Sequence, residues 1–430
     1  MSVYSHTPTP GLNADKEGDD EQEERTEEIA ELKKLIDAMP GGTIHDVKSR
    51  VPHQTKLGQL EFQFHIFAEK KRLARALSKL EEMYGDLHSE PCLMCLEDIH
   101  VHAASSVRKI FICCGGFICE VCVRNMDKSG LGLDKCPLCR ESFAASSEAE
   151  DDAKVMTLAK RGNSWAQREA GSLMIHGRKG YDKQKLEWLK KAAAQDYPPA
   201  LFELSAVHRD GLKSLVRKSQ EKANKLLLKA ANLGYAKANS LLATYHTSGT
   251  KGFEENTDEA YFRASVALAL DNENGQAAFI LGTNHHIEKC SEPSPYLACH
   301  YLNIAANENG EGLAFCFYSQ TLCKLNEHLY GGQISGHNAM PAAFFWLRKS
   351  SERGIKTASR LLKEWETNGQ NFCANCGMVA QAGEKFKQCS KCKAQWYCSK
   401  ECQVEAWREG HKKDCKRATI LKFQDYLSAE

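Results

Sequence analysis

Trp188–Ala200 reads WLKKAAAQDYPPA, and Leu226–Ala238 repeats it as LLLKAANLGYAKA. The pattern returns weakly as RASVALALDNENG (Arg263–Gly275), then as YLNIAANENGEGLA (Tyr301–Ala314) and WLRKSSERGIKTA (Trp346–Ala358). The alanine pairs Ala193-Ala194, Ala230-Ala231 and Ala305-Ala306 lie 37 and then 75 residues apart, an interval close to 38 per unit. A repeat of that length is a helical hairpin that cannot bury its apolar face alone and must stack on its neighbours. Alanine on one face lets the next helix approach closely, while Leu, Phe and Trp fill the space between layers. Glycine at Gly234 and Gly354 suits the left-handed turn that ends a helix. The alanine-rich stretch 153–366 is therefore expected to be mainly α, an α-solenoid of helical-hairpin repeats; an irregular helical bundle is the competing reading.

The A-K-A and K-A-A-x-x-G elements of these units resemble the Sel-one-like repeat, a relative of the tetratricopeptide repeat. That resemblance implies a curved superhelix used as a binding scaffold. Outside it, composition bounds the partners. Among 430 residues, 57 Lys and Arg face 56 Asp and Glu, a net charge of +1. No global basic field gathers nucleic acid or anionic membrane, so such a partner would need a local patch. The opening MSVYSHTPTPGLNADKEGDD lacks a basic stretch followed by an apolar core, and no run of ~18 apolar residues offers a membrane span. The expected location is intracellular, cytoplasmic or nuclear, with no membrane partner.

Residues 1–29 are expected to be a disordered acidic tail, because from Asp15 to Glu28 nine acids face only Lys16 and Arg25. A helical N-terminal segment, 30–88, follows. It combines a helix at Thr26–Ala38, ended by Pro40-Gly41-Gly42, with a longer one at Lys56–Tyr84. Leu60, Phe64, Phe67, Leu73, Leu77, Leu80 and Tyr84 give the longer helix one apolar stripe, for a partner or for the neighbouring cysteine module. Residues 146–152, with SSEAEDD, read as an acidic linker, and 418–430 as a C-terminal tail.

Cysteine is the outlier: 19 residues, eight from Cys92 to Cys139, four from Cys290 to Cys323 and seven from Cys373 to Cys415. In a reducing compartment, clustered thiols are metal ligands before they are disulfides. Cys290, Cys299, Cys316 and Cys323 have no paired spacing and read as buried small hydrophobes within the repeats. In the stretch 371–417, Cys373, Cys376, Cys389, Cys392, Cys398, Cys402, His411 and Cys415 make eight ligands, enough for two closed tetrahedral zinc sites with no position left for a catalytic water. Binding zinc supplies ~10–16 kcal/mol to such a segment, which lets it fold with little core.

This series resembles the MYND zinc finger, including Tyr397-Cys398-Ser399, Cys402-Gln403, Trp407 and His411-Lys412-Lys413-Asp414-Cys415. The resemblance implies interleaved ligands: Cys373, Cys376, Cys398 and Cys402 on one ion, Cys389, Cys392, His411 and Cys415 on the other. It also implies a peptide-binding module, often for proline-containing ligands. Bases outnumber acids between Lys385 and Arg417, which would attract acidic partners or serve only as a solvated face. Some MYND fingers sit within lysine methyltransferases, but the expected Asn-His-Ser stretch is not found. Asn284-His285-His286 lacks the serine and lies in the repeats.

In the stretch 89–145, CLMC at Cys92–Cys95, CCGGFICEVC at Cys113–Cys122 and CPLCRESF at Cys136–Phe143 supply eight more cysteines. They resemble an all-cysteine RING finger. That implies a cross-brace, with Cys92, Cys95, Cys119 and Cys122 on one zinc and Cys113, Cys114, Cys136 and Cys139 on the other. The chain departs from the family pattern at Gly116, which stands where a histidine is usual; His100 or His102 is an alternative to one of the Cys113-Cys114 pair. The resemblance implies a ubiquitin ligase without a catalytic nucleophile. Such a ligase docks a charged ubiquitin-conjugating enzyme on Met94, Pro137 and Leu138 and orients the thioester with Arg140. The chain is then expected to carry four zinc ions, two per finger, and to select protein substrates or peptide ligands with its repeats and MYND finger. A non-catalytic interaction scaffold is the alternative. Nucleic-acid binding has only the basic C-terminal face behind it, with no reader helix or stacking platform.

Overall fold

A computed structural model of the chain describes residues 12–40, 44–99, 107–129, 135–142, 147–173, 182–212, 214–308, 312–331 and 336–429. Two helices lead, α1 (Leu12–Ala38) and α2 (Ile44–Tyr84). The first finger follows with strands β1 (Glu90–Pro91), β2 (Asp98–Ile99), β3 (Val107–Ile110) and β4 (Phe117–Cys119) and helix α3 (Glu120–Lys128). The repeat helices are α4 (Glu148–Lys160), α5 (Ser164–Leu173), α6 (Asp182–Ala193), α7 (Pro198–Asp210), α8 (Gln220–Asn232), α9 (Ala236–Ser248), α10 (Thr257–Leu270), α11 (Gly275–His286), α12 (Pro295–Glu308), α13 (Gly312–Tyr330), α14 (Met340–Glu352) and α15 (Lys356–Gly369). The second finger carries β5 (Lys387–Gln388), β6 (Trp396–Tyr397), α16 (Lys400–Ala406), a π-helical turn (Trp407–His411) and α17 (Lys412–Arg417), and α18 (Phe423–Ser428) ends the chain. The fold is mainly α, with α4 to α10 packed each on the next, α12 to α15 likewise, and a cysteine finger towards each end of the sequence. Two compact units divide it: Arg72–Leu281, and Met1–Lys71 with Gly282–Glu430.

The quoted repeat marks the joint between helices. Between α6 and α7, α8 and α9, and α14 and α15, a residue with positive φ reverses the chain: Asp196 (φ 58°), Gly234 (φ 83°) and Gly354 (φ 81°). At each joint the next residue donates its N–H five positions back, Tyr197 to Ala192 O (3.3 Å), Tyr235 to Ala230 O (3.1 Å) and Ile355 to Ser350 O (3.3 Å). The alanines before the turn are buried to let α6 and α8 pack closely. The weak unit at Arg263–Gly275 differs for a visible reason: α10 ends on Asp271 with extended backbone (φ −145°), so it has no left-handed joint.

In the unit Arg72–Leu281, one apolar core runs from Phe111, Phe117 and Ile118 of the finger through Val155 and Leu158 of α4 and Trp165 of α5 to Leu189, Leu201, Leu227 and Leu242. The stretch expected to be an acidic linker is instead the start of α4. Ser147 caps it in a capping box with Glu150, and Glu148, Glu150 and Asp151 occupy the first turn, where the helix dipole favours acids. The later part of α2 packs Leu80 on Ala236, Val266 and Leu270, beside Leu87. The apolar stripe of α2 thus finds a repeat-helix partner within the chain. Arg263 is also buried here, held by Glu259 Oε1 (2.7 Å), Asn232 Oδ1 (3.1 Å), Asn239 Oδ1 (3.2 Å) and the hydroxyl of Tyr84 (3.1 Å).

In the other unit, α1 is helical over residues 12–29, where disorder is expected from composition; the first eleven residues of that expected tail lie outside the described residues. Its charges have partners on α2 that composition does not reveal: Glu28 pairs with Lys56, and Lys33 with Glu61, each at 2.6 Å. Helix α2 begins at Ile44, twelve residues before the expected start, and continues through Pro52, whose missing N–H costs one helical bond. Its side chains then meet α12, with the Tyr296 hydroxyl donating to Glu61 Oε2 at 2.7 Å and Tyr301 to Glu69. The expected C-terminal tail is α18, with Phe423, Tyr426 and Leu427 buried. Asn303 of α12 donates to Leu421 O (2.7 Å) and accepts from Phe423 N (3.0 Å), while the Phe423 ring meets Phe62 edge-on at 5.3 Å. Cys299 and Cys316 are buried small residues as expected. Cys290 lies between α11 and α12 rather than within a helix, 3.3 Å from His285 Nδ1.

Candidate metal centres

Four clusters gather sixteen ligand atoms, those of each cluster within 4.8 Å of one another. They are Cys92, Cys95, Cys119 and Cys122; Cys113, Cys114, Cys136 and Cys139; Cys373, Cys376, Cys398 and Cys402; and Cys389, Cys392, His411 and Cys415. Along each finger the members of its two clusters alternate in pairs, the order of a cross-brace. His100 and His102 lie outside the described residues.

The same turn builds the clusters. Each Cys-x-x-Cys is followed by a residue with positive φ: Leu96 (61°), Arg140 (62°), Gly377 (72°) and Lys393 (51°). That residue donates its N–H to the carbonyl of the first cysteine at 2.9–3.0 Å, at Cys92, Cys136, Cys373 and Cys389. Three of the four are not glycine, so backbone strain is accepted to aim two sulfurs at one point. A fifth turn has the same bonds with Phe111 in place of the first cysteine: Gly115 (φ 83°) donates to Phe111 O at 2.7 Å, and Cys113 and Cys114 occupy its crest.

Amide hydrogens converge on the leading sulfurs. Cys119 N–H donates to Cys92 Sγ and Cys122 N–H to Cys119 Sγ, both at 3.4 Å. Burial raises the thiol of Cys92, but backbone donors from Cys119, Cys95 and Met94 outweigh it and hold it at about 6. The same balance holds Cys373 at about 6 and Cys136 at about 7. Cys113 and Cys122 move the other way, pushed up by burial and by the thiols around them. Four sulfurs this close cannot all ionise without a cation among them. The donor sets, three of four thiols and one of three thiols with an imidazole, contain no carboxylate; that chemistry fits zinc. All donor positions in a tetrahedral site come from the protein, which assigns such an ion to structure rather than catalysis.

In the first finger the packing at Gly116 excludes a side chain: an added Cβ would lie 2.6–2.7 Å from three atoms of Leu93. Cys113 and Cys114 both join Cys136 and Cys139 instead. The Trp165 indole donates to Gly115 O at 2.9 Å and meets the Phe117 ring at 6.5 Å, fixing this turn to α5. Met94 (45% exposed), Leu138 (65%) and Arg140 are exposed and Pro137 is half-buried. Leu96, 76% exposed on the first turn, is an apolar tip that spacing alone did not single out.

The second finger is held by residues that sequence reasoning missed. Asp414 is buried, accepting from Gly336 N (3.0 Å) and Asn338 N (2.9 Å); its only sequence signal is its place inside His411–Cys415. Arg348 of α14 donates to Cys392 O at 2.9 Å and to Lys393 O. Phe344, Trp365, Phe386, Trp396 and Tyr397 join the finger and the last hairpin in one core. Tyr397 and Trp407 pack edge-on against His411, at 5.8 and 5.9 Å.

Comparison with known proteins follows this geometry. Residues 373–415 match the MYND finger family, and residues 186–197, 198–235 and 327–355 match the Sel1 repeat. The chain thus carries Sel1-repeat matches, a MYND-finger match and a second cysteine-rich finger, with four clusters whose donor chemistry fits zinc. Among curated proteins it is 34% identical over 70 residues to an F-box protein of Arabidopsis thaliana, covering 14% of this chain and 21% of that protein. It is 26% identical over 135 residues to programmed cell death protein 2 of Rattus norvegicus, 31% of this chain and 36% of the relative. Ubiquitin carboxyl-terminal hydrolase 16 of Arabidopsis thaliana is 53% identical over 34 residues, 8% of this chain and 3% of that protein. The chain therefore matches between 3% and 36% of the length of these relatives. Among solved structures, a Sel1 repeat protein from Oxalobacter formigenes aligns at 23% identity over 51% of this chain and 86% of its own, TM-score 0.40. The Escherichia coli protective antigen c5321, which displays an SLR fold, aligns at 20% identity over 52% and 45%, TM-score 0.41. No helix among the described residues is long and apolar enough to cross a membrane.

Proposed function

We propose that this protein is a RING-type ubiquitin ligase. Its first finger binds a charged ubiquitin-conjugating enzyme, while the Sel1 repeats and MYND finger recruit the protein to be modified. The observation that carries this reading is the paired alternation of Cys92, Cys95, Cys119 and Cys122 with Cys113, Cys114, Cys136 and Cys139, with Arg140 exposed directly after the last of them. The left-handed backbone of Arg140 (φ 62°) fixes the direction in which its side chain leaves the turn. Met94, Leu138 and Leu96 supply exposed apolar surface on the flanking turns. In this role the finger adds no nucleophile. It holds the thioester in a reactive arrangement, and Arg140 offers its planar donors to carbonyls of enzyme and ubiquitin. Each of the four clusters holds one zinc ion, two per finger.

Purified zinc-loaded protein, incubated with a panel of conjugating enzymes, is expected to form ubiquitin chains. Arg140→Ala is expected to cut the rate by about tenfold or more, the loss of one transition-state contact, without changing the melting temperature. Full activity in Arg140→Ala rejects the role given to that side chain, and no chains with any enzyme rejects the ligase. The second reading, a non-catalytic scaffold, is then the one left standing. It is favoured by the continuous core that ties the first finger to α4 and α5.

A further inference from the structure

Helix α15 turns one side to the core and charges the other. Ala358, Leu361, Leu362 and Trp365 recur every three or four residues and pack with Cys316 and Leu347. On the opposite side Lys356, Arg360 and Lys363 follow one another at gaps of four and three, and all three are exposed. At 3.6 residues per turn Glu364 falls to one side of this basic stripe, so no acid interrupts it.

Helix α1, in the same compact unit, carries the opposite sign. Ile29 and Leu32 are buried on its inner side, whereas Glu24, Glu27 and Glu31 are exposed on its outer side at gaps of three and four. Glu28, which points elsewhere, is the acid that pairs with Lys56. Among the described residues, the side chains of Glu24, Glu27, Glu31, Lys356, Arg360 and Lys363 make no ion pair.

The two stripes have one spacing when their helices run in opposite directions. Glu31, Glu27 and Glu24 descend by four and three as Lys356, Arg360 and Lys363 ascend by four and three. Each spans about 10 Å of helix at the usual rise per residue. Laid side by side, antiparallel, they set Glu31 on Lys356, Glu27 on Arg360 and Glu24 on Lys363. Both stripes are exposed in one folded chain, so they do not meet within it.

We propose that α1 of one copy of this protein docks antiparallel on α15 of a second copy through these three ion pairs. Every copy carries both halves, so two copies can make the contact twice. An exposed ion pair is weak alone, and the selectivity comes from three of them in register. An acidic helix of another protein would satisfy α15 but leave the matching stripe of α1 without a purpose. Association would bring two copies of each finger and of the repeats into one assembly, raising the effective concentration of every surface they carry. The inference is independent of the ligase reading.

The test is sedimentation velocity on the zinc-loaded full chain, with no other protein present, over about a hundredfold range of concentration. At low ionic strength the sedimentation coefficient is expected to rise with concentration, and the rise should vanish at ~1 M salt, where screening acts within ~3 Å. Glu24→Lys/Glu27→Lys/Glu31→Lys and Lys356→Glu/Arg360→Glu/Lys363→Glu should each weaken association about tenfold or more. The chain carrying all six reversals keeps the net charge of +1 and regains complementarity, so it should associate like the parent. That recovery separates a matched contact from a change in overall charge. All six positions are exposed, and an unchanged melting temperature confirms folding. Association indifferent to either triple variant, or absent from the six-reversal chain, overturns the proposal. So does a parent chain that stays monomeric; if it then binds a glutamate-rich helical peptide, and the α15 variant does not, the basic stripe serves another protein.

Discussion

Glu61 shows what a single side chain does where α1, α2, α12 and α13 meet. Burial would raise its carboxyl, yet hydrogen bonds from His328, Lys33 and Tyr296 outweigh burial and hold it down at about 2. A carboxylate depressed on folding stabilises the native state above its ordinary range, and that contribution disappears as pH falls through the folded value. Its worth is on the order of 2–3 kcal/mol near neutrality. Glu61→Gln is therefore expected to melt below the parent at pH 7, with the gap closing as pH drops from about 5 towards 2. A gap that stays constant over that range, followed by circular dichroism, would assign the loss to packing instead. Nothing in the local sequence announces this residue, because its partners stand far along the chain at Tyr296 and His328.

Among elements, α5 couples the first finger to the repeat helices through Trp165. Trp165→Phe keeps a ring against Phe117 but loses the bond to Gly115 O, and is expected to cost about 1 kcal/mol. Trp165→Ala also opens a cavity, and about 3–5 kcal/mol should be lost. Chemical denaturation of the zinc-loaded protein reads both; equal losses would mean that the indole bond carries nothing beyond ring packing. The hairpin joints were legible from sequence because left-handed backbone at Gly234 and Gly354 recruits a recognisable residue type. So were the four Cys-x-x-Cys knuckles, whose spacing lets one tight turn aim two sulfurs at one point. The start of α4 was misread because acids suit a solvated linker and a helix N-terminus equally, and only the reciprocal bonds of Ser147 and Glu150 distinguish them. Helix α1 and α18 were hidden for another reason: their stability comes from Lys56, Glu61, Phe62 and Asn303, contacts no local pattern encodes.

For the molecule as a whole, neither finger is an appendage with a private core. Cys92, Cys119 and Cys136 share theirs with α4 and α5, and Cys373, Cys389 and Cys415 share theirs with α14 and α15. Removing metal should therefore do more than melt two small modules. On treatment with a strong chelator, hydrogen exchange is expected to accelerate in α4–α5 and α14–α15 while α8–α10 retain protection. Exchange confined to the fingers themselves would show that the helical cores stand without the ions.

The division of the chain also imposes an order in time. One unit is continuous from Arg72 to Leu281, but the other joins Met1–Lys71 to Gly282–Glu430. A ribosome adding ~5–20 residues per second needs on the order of 10–40 s to synthesise the intervening segment. Throughout that delay α1 and the first part of α2 have no α12 or α18 to bury Phe62 or to bond Glu61 and Glu69. A stretch made that long before its partners is thus among the last parts of the chain to settle, its apolar face uncovered in the interval.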